Sequence, residues 1–203
     1  MRLFFIILAA LLLSSCSSRP ARMAPLNKHL TWDDRSKANA CVTRWQIKGA
    51  TSIKTPDESL SASLNWHQEG PYSYHIVLLG PMGSGSMTIS REGNEVSLLT
   101  SDGHNGKAAS AEDLMQEELQ WSLPVSDLYY WIRGLPAPGS KSNMINDTYN
   151  HLQKLEQKNW AVDYLRYTNV DGLDLPSKIY MNHDDINVRI VISKWEIEKN
   201  CIS

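Results

Sequence analysis

The sequence predicts a mostly β chain: roughly ten antiparallel strands curved into an incomplete barrel, with short helices laid across the concave side. Three observations predict it. From Trp45 onward apolar and polar residues alternate, the two-residue period of half-buried strands. Clusters of Gly, Pro, Asn and Asp cut that alternation into short runs, spaced for antiparallel neighbours rather than crossover helices. A central stretch with helix-start chemistry interrupts the strands.

The first residues belong to no fold element. Arg2, the apolar run from Leu3 to Leu13, then Ser14, Ser15 and Cys16 follow the charged, apolar, small-residue order of an export signal. A membrane-spanning helix needs about 20 apolar residues, and this run ends sooner, at Ser17, Ser18, Arg19 and Pro20. Leu13-Ser14-Ser15-Cys16 also resembles the bacterial lipobox, which implies removal of residues 1–15 and acylation of Cys16. Ser17, where an Asp would imply retention at the inner membrane, points to the outer membrane. Residues 16–30, with Pro20 and Pro25, then read as a lipidated N-terminus and flexible tether. Residues 31–203 form one domain, large enough to bury a single core.

Thr31-Trp32-Asp33-Asp34 sets a hydroxyl three residues ahead of a carboxylate, so a helix runs from there to about Cys41. Five short strands follow, marked by Trp45 and Ile47; by Leu60, Ala62, Leu64 and Trp66; by Tyr74, Ile76 and Leu78; by Met87 and Ile89; and by Val96 and Leu98. The turns between them are Thr55-Pro56-Asp57, Glu69-Gly70-Pro71, Gly80 to Gly85 and Glu92-Gly93-Asn94. Ser110 ahead of Glu112 and Asp113 starts a helix through Leu119, and Pro124 leads a second through about Ile132, stopped by Gly134 and Pro136. Both are short and amphipathic. Alternation resumes over Tyr149–Gln157, Trp160–Tyr167, Ser177–Asn182 and Val188–Ile197. An incomplete barrel has an interior, and seven tryptophans and eight tyrosines supply rigid walls, for a filled core or for a ligand cavity.

A net charge of -2 without a basic stripe argues against nucleic acid as a partner. Of the three cysteines, Cys41 and Cys201 remain once Cys16 carries lipid, and in an oxidising compartment they either bridge or stay as two thiols. Gly134, Gly139 and Ser140-Lys141-Ser142 fall near a phosphate loop, but the Lys-Ser pair is displaced and Pro136 and Pro138 spoil the loop. Gly80 to Gly85 precedes no helix that could hold a phosphate. The histidines lack metal spacing, and no serine sits in a nucleophile elbow. The expectation is a protein that is not an enzyme and uses no cofactor or metal.

Trp66-His67-Gln68, Tyr74 to Gly83, Trp131-Ile132-Arg133-Gly134-Leu135-Pro136 and Asn159 to Tyr164 together, in that order, resemble the LolB family. The resemblance covers nearly the whole mature chain. It implies an unclosed antiparallel β-barrel of ten to eleven strands with a helical lid. It further implies a monomeric outer-membrane lipoprotein facing the periplasm. Such a protein accepts acylated lipoproteins from a soluble LolA-like carrier in an apolar cavity and inserts them among outer-membrane phospholipids. Under that reading Trp45, Ile47, Leu64, Trp66, Ile76, Leu78, Met87, Ile89, Trp160, Val162 and Tyr164 lie on the concave face, with Leu128, Trp131 and Ile132 under the lid. An ordinary filled core would use the same residues. Pro81, Met82 and Gly83 correspond to a protruding loop whose apolar tip, usually Leu, targets cargo into the membrane. Met82 either projects there or folds back onto its own sheet. The competing function is an outer-membrane lipoprotein that scaffolds a protein assembly through its sheet edges, with no lipid ligand.

Overall fold

The computed structural model describes residues 27–199. The signal segment, Cys16, the first part of the tether and Cys201 lie outside the described residues. Helix α1 (Trp32–Ala40) is followed by β1 (Val42–Lys54), β2 (Ser59–Glu69), β3 (Ser73–Leu79), β4 (Ser86–Glu92), β5 (Glu95–Thr100) and β6 (Asn105–Ala108). Then come α2 (Ala111–Leu119), α3 (Val125–Trp131), β7 (Ser142–Asn146), β8 (Leu152–Gln157), β9 (Trp160–Val170), β10 (Leu173–His183) and β11 (Ile186–Lys199).

All eleven strands join one sheet in the order β6-β5-β4-β3-β2-β1-β11-β10-β9-β8-β7. The first and last long strands meet in the middle, Val42 opposite Lys199 and Lys54 opposite Asn187. Two half-sheets grow outward from this seam by hairpins, and β6 and β7 are left as the two edges, so the barrel is unclosed. Period-two burial holds along β2, where Ala62, Leu64, Trp66 and Gln68 point inward and their neighbours outward.

The expected strands are present, with two additions. β6 and β7 are short edge strands whose side chains alternate weakly or stay exposed, so they carry little hydrophobic periodicity. The run expected from Tyr149 begins as a strand only at Leu152. Before it the Asp147 carboxylate accepts the N–H groups of Tyr149 and His151, and Asn150 takes a positive φ, which closes a turn. α1 has the expected capping box, the Thr31 hydroxyl accepting from the Asp34 N–H and the Asp34 carboxylate from the Thr31 N–H. α3 differs from the amphipathic expectation: it is buried on most of its circumference, exposing Ser126.

Gly49 bends the central seam. Register shifts between Lys48 and Gly49, and a Cβ at Gly49 would sit 2.0 Å from the Val191 carbonyl oxygen. Gly49→Ala is therefore expected to cost about 3 kcal/mol, lowering Tm by roughly 6–12 °C in a thermal melt. β1 is paired on both sides and has no free direction in which to relax.

At the end of the barrel where β1 starts, α1 packs on β10 and β1 through buried polar side chains. Arg35 donates to Asp174 at 2.7 Å and to the Tyr149 carbonyl. Asp174 also meets His151 Nε2 at 3.0 Å, accepts from the Asn169 amide, and accepts the Asn27 backbone N–H. The Trp-Ile-Arg-Gly-Leu-Pro stretch has a structural task here. Arg133 is fully enclosed, donates to the Tyr129 and Val42 carbonyls, and stacks its guanidinium 4.0 Å from the Tyr129 ring centre. It thereby ties α3 to the start of β1. Cys41, between α1 and β1, is in a disulfide.

Candidate functional site

The interior holds one continuous apolar cluster to which both sheet halves and α2 and α3 contribute. Of the residues expected to face it, Trp45, Ile47, Leu64, Trp66, Ile76, Leu78, Ile89, Leu128, Trp131, Ile132, Trp160, Val162 and Tyr164 are buried in the cluster, and Met87 packs against it half-buried. They divide into two groups.

Leu64, Trp66, Ile76, Leu78, Met87, Ile89 and Leu128 line a small apolar cavity of about 50 Å³. Trp45, Ile47, Trp131, Ile132, Trp160, Val162 and Tyr164 do not. On that side the space is packed: Trp131 stands 6.4 Å from Trp160, and the Tyr164 hydroxyl donates to the Trp131 carbonyl at 3.0 Å. Gln157 fixes this wall, accepting from the Trp131 indole and the Ala137 N–H while donating to the Ala137 carbonyl. Burial pushes the Tyr164 hydroxyl well above its ordinary pKa, so it stays a neutral donor.

Of the cavity's roof, the sequence singled out Leu128 but not Met115, Trp121, Leu123 or Val125. Met115 of α2, then Trp121 and Leu123 from the extended link between the helices, then Val125 and Leu128 of α3 close it over β1 to β4 and β11. The alternation Trp121, Leu123, Val125 is the signal in the sequence, apolar residues two apart in a segment too short to be a strand. The lid is fastened to the sheet at three loops. The Trp121 indole donates to Glu58 at 2.8 Å, Lys158 pairs with Asp127 at 2.8 Å, and His104 faces Glu118 at 3.6 Å.

These three fastenings ring the open mouth, a cleft of about 1240 Å³ whose rim is strongly acidic. Asp57, Glu58, Asp102, Glu118, Asp184 and Asp185 outweigh Lys158 there. A second cleft of about 470 Å³ leads from Leu78, Met87 and Trp121 out to Pro81 and Ser84. Trp121 lines the cavity and both clefts, so its ring separates the interior from the outside.

The Gly80 to Gly85 loop stands at that exit. Gly80 donates to the Gly85 carbonyl at 2.8 Å, Gly83 donates to the Gly80 carbonyl, and Ser84 donates to the Pro81 carbonyl, which makes a compact tip. Met82 at its apex is fully exposed and left-handed, φ 53°. An apolar side chain held out in water by a strained backbone departs from both solvation and conformational preference. Among the described residues there is no grouping of His, Cys, Asp and Glu suited to a metal, and no helix is long and apolar enough to cross a membrane.

The family described as "Outer membrane lipoprotein LolB" matches residues 43–195. The chain is 37% identical over 190 residues to the outer-membrane lipoprotein LolB of Pseudomonas syringae, covering 93% of this chain and 92% of that one. It is 36% identical over 193 residues to the LolB of Coxiella burnetii, covering 94% and 91%. Among solved structures it is similar to a LolA superfamily protein from Nitrosomonas europaea, 11% identical, covering 84% of this chain and 94% of that one at a TM-score of 0.49.

Proposed function

This chain belongs to the outer membrane lipoprotein LolB family, and from that premise we propose that it receives acylated lipoproteins from a LolA-like periplasmic carrier and releases them into outer-membrane phospholipid. One observation carries the reading: a wholly apolar interior cavity that communicates, past the single ring of Trp121, with a cleft ending at the exposed Met82 loop. An acyl chain gains about 0.8 kcal/mol for each buried CH₂, so a chain of a dozen or more methylenes does not cross water unsheltered. The protein offers a shelter, and the bilayer buries the same chain as well. Transfer therefore needs no nucleotide or bond chemistry; the role is transport rather than catalysis.

The lid is down in this conformation, with Trp121 between the cavity and the cleft. At about 50 Å³ the cavity takes a few methylene-sized groups and not a whole acyl chain. Cargo enters by lifting the lid, which opens the Trp121–Glu58, Lys158–Asp127 and His104–Glu118 contacts. Each contact has one solvent-exposed partner, Glu58, Lys158 or His104, which water takes up when the lid lifts, while Trp121 and Asp127 are buried and hold the lid down. Cys16 acylation confines the protein to the target membrane, and the carrier approaches the mouth.

The test is a transfer assay with the lipidated protein in vesicles and a lipoprotein with labelled acyl chains loaded on the carrier. Label should leave the carrier and appear in the vesicles; failure to accept label overturns the reading. Trp121→Phe keeps an aromatic ring but loses the bond to Glu58. It should accept cargo about tenfold faster, because a hydrogen bond to a charged partner no longer holds the lid down. Unchanged or slower uptake would show that this contact does not fasten the lid.

A further inference from the structure

The convex face beside the Met82 loop carries a second unusual surface. Cross-strand register sets Leu79 opposite Ser63, Ser63 opposite Ala50, and Ala50 opposite Val191, one outward rank across β3, β2, β1 and β11. Leu79 and Val191 are 48% and 39% exposed, large apolar side chains at the two ends of a floor of small ones. Between them and the loop lies a groove of about 510 Å³ whose rim includes Met82 and Arg189. Arg189 and, one rank nearer the strand ends, Lys54 point outward from the same sheet, and among the described residues neither is paired with a carboxylate.

The geometry points to a bilayer contact wider than the loop tip: the protein leans on this convex patch, with Leu79, Val191 and Met82 among lipid chains and Arg189 at lipid phosphate. The inference deepens the transfer reading and rests on it. Two independent observations favour a lipid surface as the occupant. The first is charge. The loop stands between an acidic mouth on the concave side and unpaired cations on the convex side. Each Lys or Arg near an anionic membrane surface is attracted by about 1 kcal/mol, and carboxylates are repelled. Leaning on the convex side brings the cations to the bilayer and keeps the mouth open toward the aqueous side.

The second is reach. Asn27 is bound by Asp174 and Arg35 at the start of β1, while Met82 lies at the level where β1 ends. From Cys16 to Asn27 there are 27 − 16 = 11 residues, at most about 40 Å when fully extended. β1 alone has 13 residues, about 43 Å at 3.3 Å each. An upright molecule touching the bilayer by Met82 would leave the lipid on Cys16 with no slack, whereas one tilted onto its convex side brings both into the same membrane.

The full lipidated protein, in vesicles of phosphatidylethanolamine and phosphatidylglycerol, tests this with a photo-crosslinking phenylalanine derivative placed singly at Leu79, Met82, Val191 or Asp185. Phospholipid adducts at Leu79 and Val191 should approach those at Met82 and exceed those at Asp185, and Arg189→Glu should reduce the Val191 adduct on the order of tenfold. Adducts at Met82 alone would overturn the leaning contact while leaving the transfer reading intact. Adducts at none of the three would overturn both the contact and the membrane role of the loop. Equal labelling of Asp185 would overturn the orientation, and an unchanged Val191 adduct in Arg189→Glu would overturn the phosphate contact.

Discussion

Met82→Glu is expected to fold normally and accept cargo at the normal rate, yet deliver it to vesicles at least about tenfold more slowly. The fold is indifferent because Met82 contributes nothing to the core: its side chain is fully exposed, and the loop is closed by backbone hydrogen bonds at Gly80, Gly83 and Ser84. Delivery is sensitive because a carboxylate pressed against acyl chains costs on the order of 2 kcal/mol or more, whereas a thioether gains by entering them. Met82→Gly separates strain from function. It removes the left-handed penalty at φ 53°, about 1 kcal/mol, so the variant should be slightly more stable than the parent. It also removes the wedge, and delivery should still slow. A transfer assay read beside a urea titration distinguishes the cases. Normal delivery by both variants would refute a membrane role for the loop.

The sequence was most legible where a single face of a strand is buried. Leu60, Ala62, Leu64 and Trp66 declared β2 and its orientation at once, because alternation of that kind has one structural solution. The edges were hidden for the opposite reason. β6, Asn-Gly-Lys-Ala, and β7, Ser-Asn-Met-Ile-Asn, pair on one side only and bury little, so they leave no period to read. Trp121 and Leu123 were missed because the roof is an irregular link whose residues answer to the cavity beneath them. The division between cavity and packed core was illegible in principle. Leu64 faces a void and Val162 faces a filled wall, but both are inward aliphatics on long strands. The difference lies in where the lid stops, near β1 to β4, and that is a tertiary fact. Met82 was half legible: a large apolar residue between Pro and Gly could project or fold back onto its own sheet, and only the tertiary structure shows it exposed.

Asp174→Ala should destabilise the fold by about 3–5 kcal/mol, moving the urea midpoint down by roughly 1–3 M. The carboxylate is buried together with Arg35 and His151, and its removal strands the buried Arg35 charge without its carboxylate partner. Burial by itself would raise the Asp174 pKa. The bonds from His151, Asn169, Arg35 and the Asn27 N–H outweigh it and hold the carboxyl below its ordinary value. Asp147, also partly desolvated and also bonded to His151, is lowered in the same way. Because both folded-state values lie below the unfolded ones, their contribution is complete above the ordinary carboxylate range near pH 4 and is lost as pH falls through the folded values. The parent should therefore lose stability steeply below about pH 4, and Asp174→Ala, already without the Asp174 share of that contribution, should show a shallower acid limb. A double variant, Arg35→Met with Asp174→Leu, separates charge burial from packing: it should recover most of the lost stability, since an apolar pair of similar volume carries no desolvation cost. If it remains as unstable as Asp174→Ala, the network matters for its shape and its hold on Asn27 rather than for its charge. In either variant the Asn27 segment loses its anchorage on β10, and limited proteolysis ahead of α1 should become faster than in the parent.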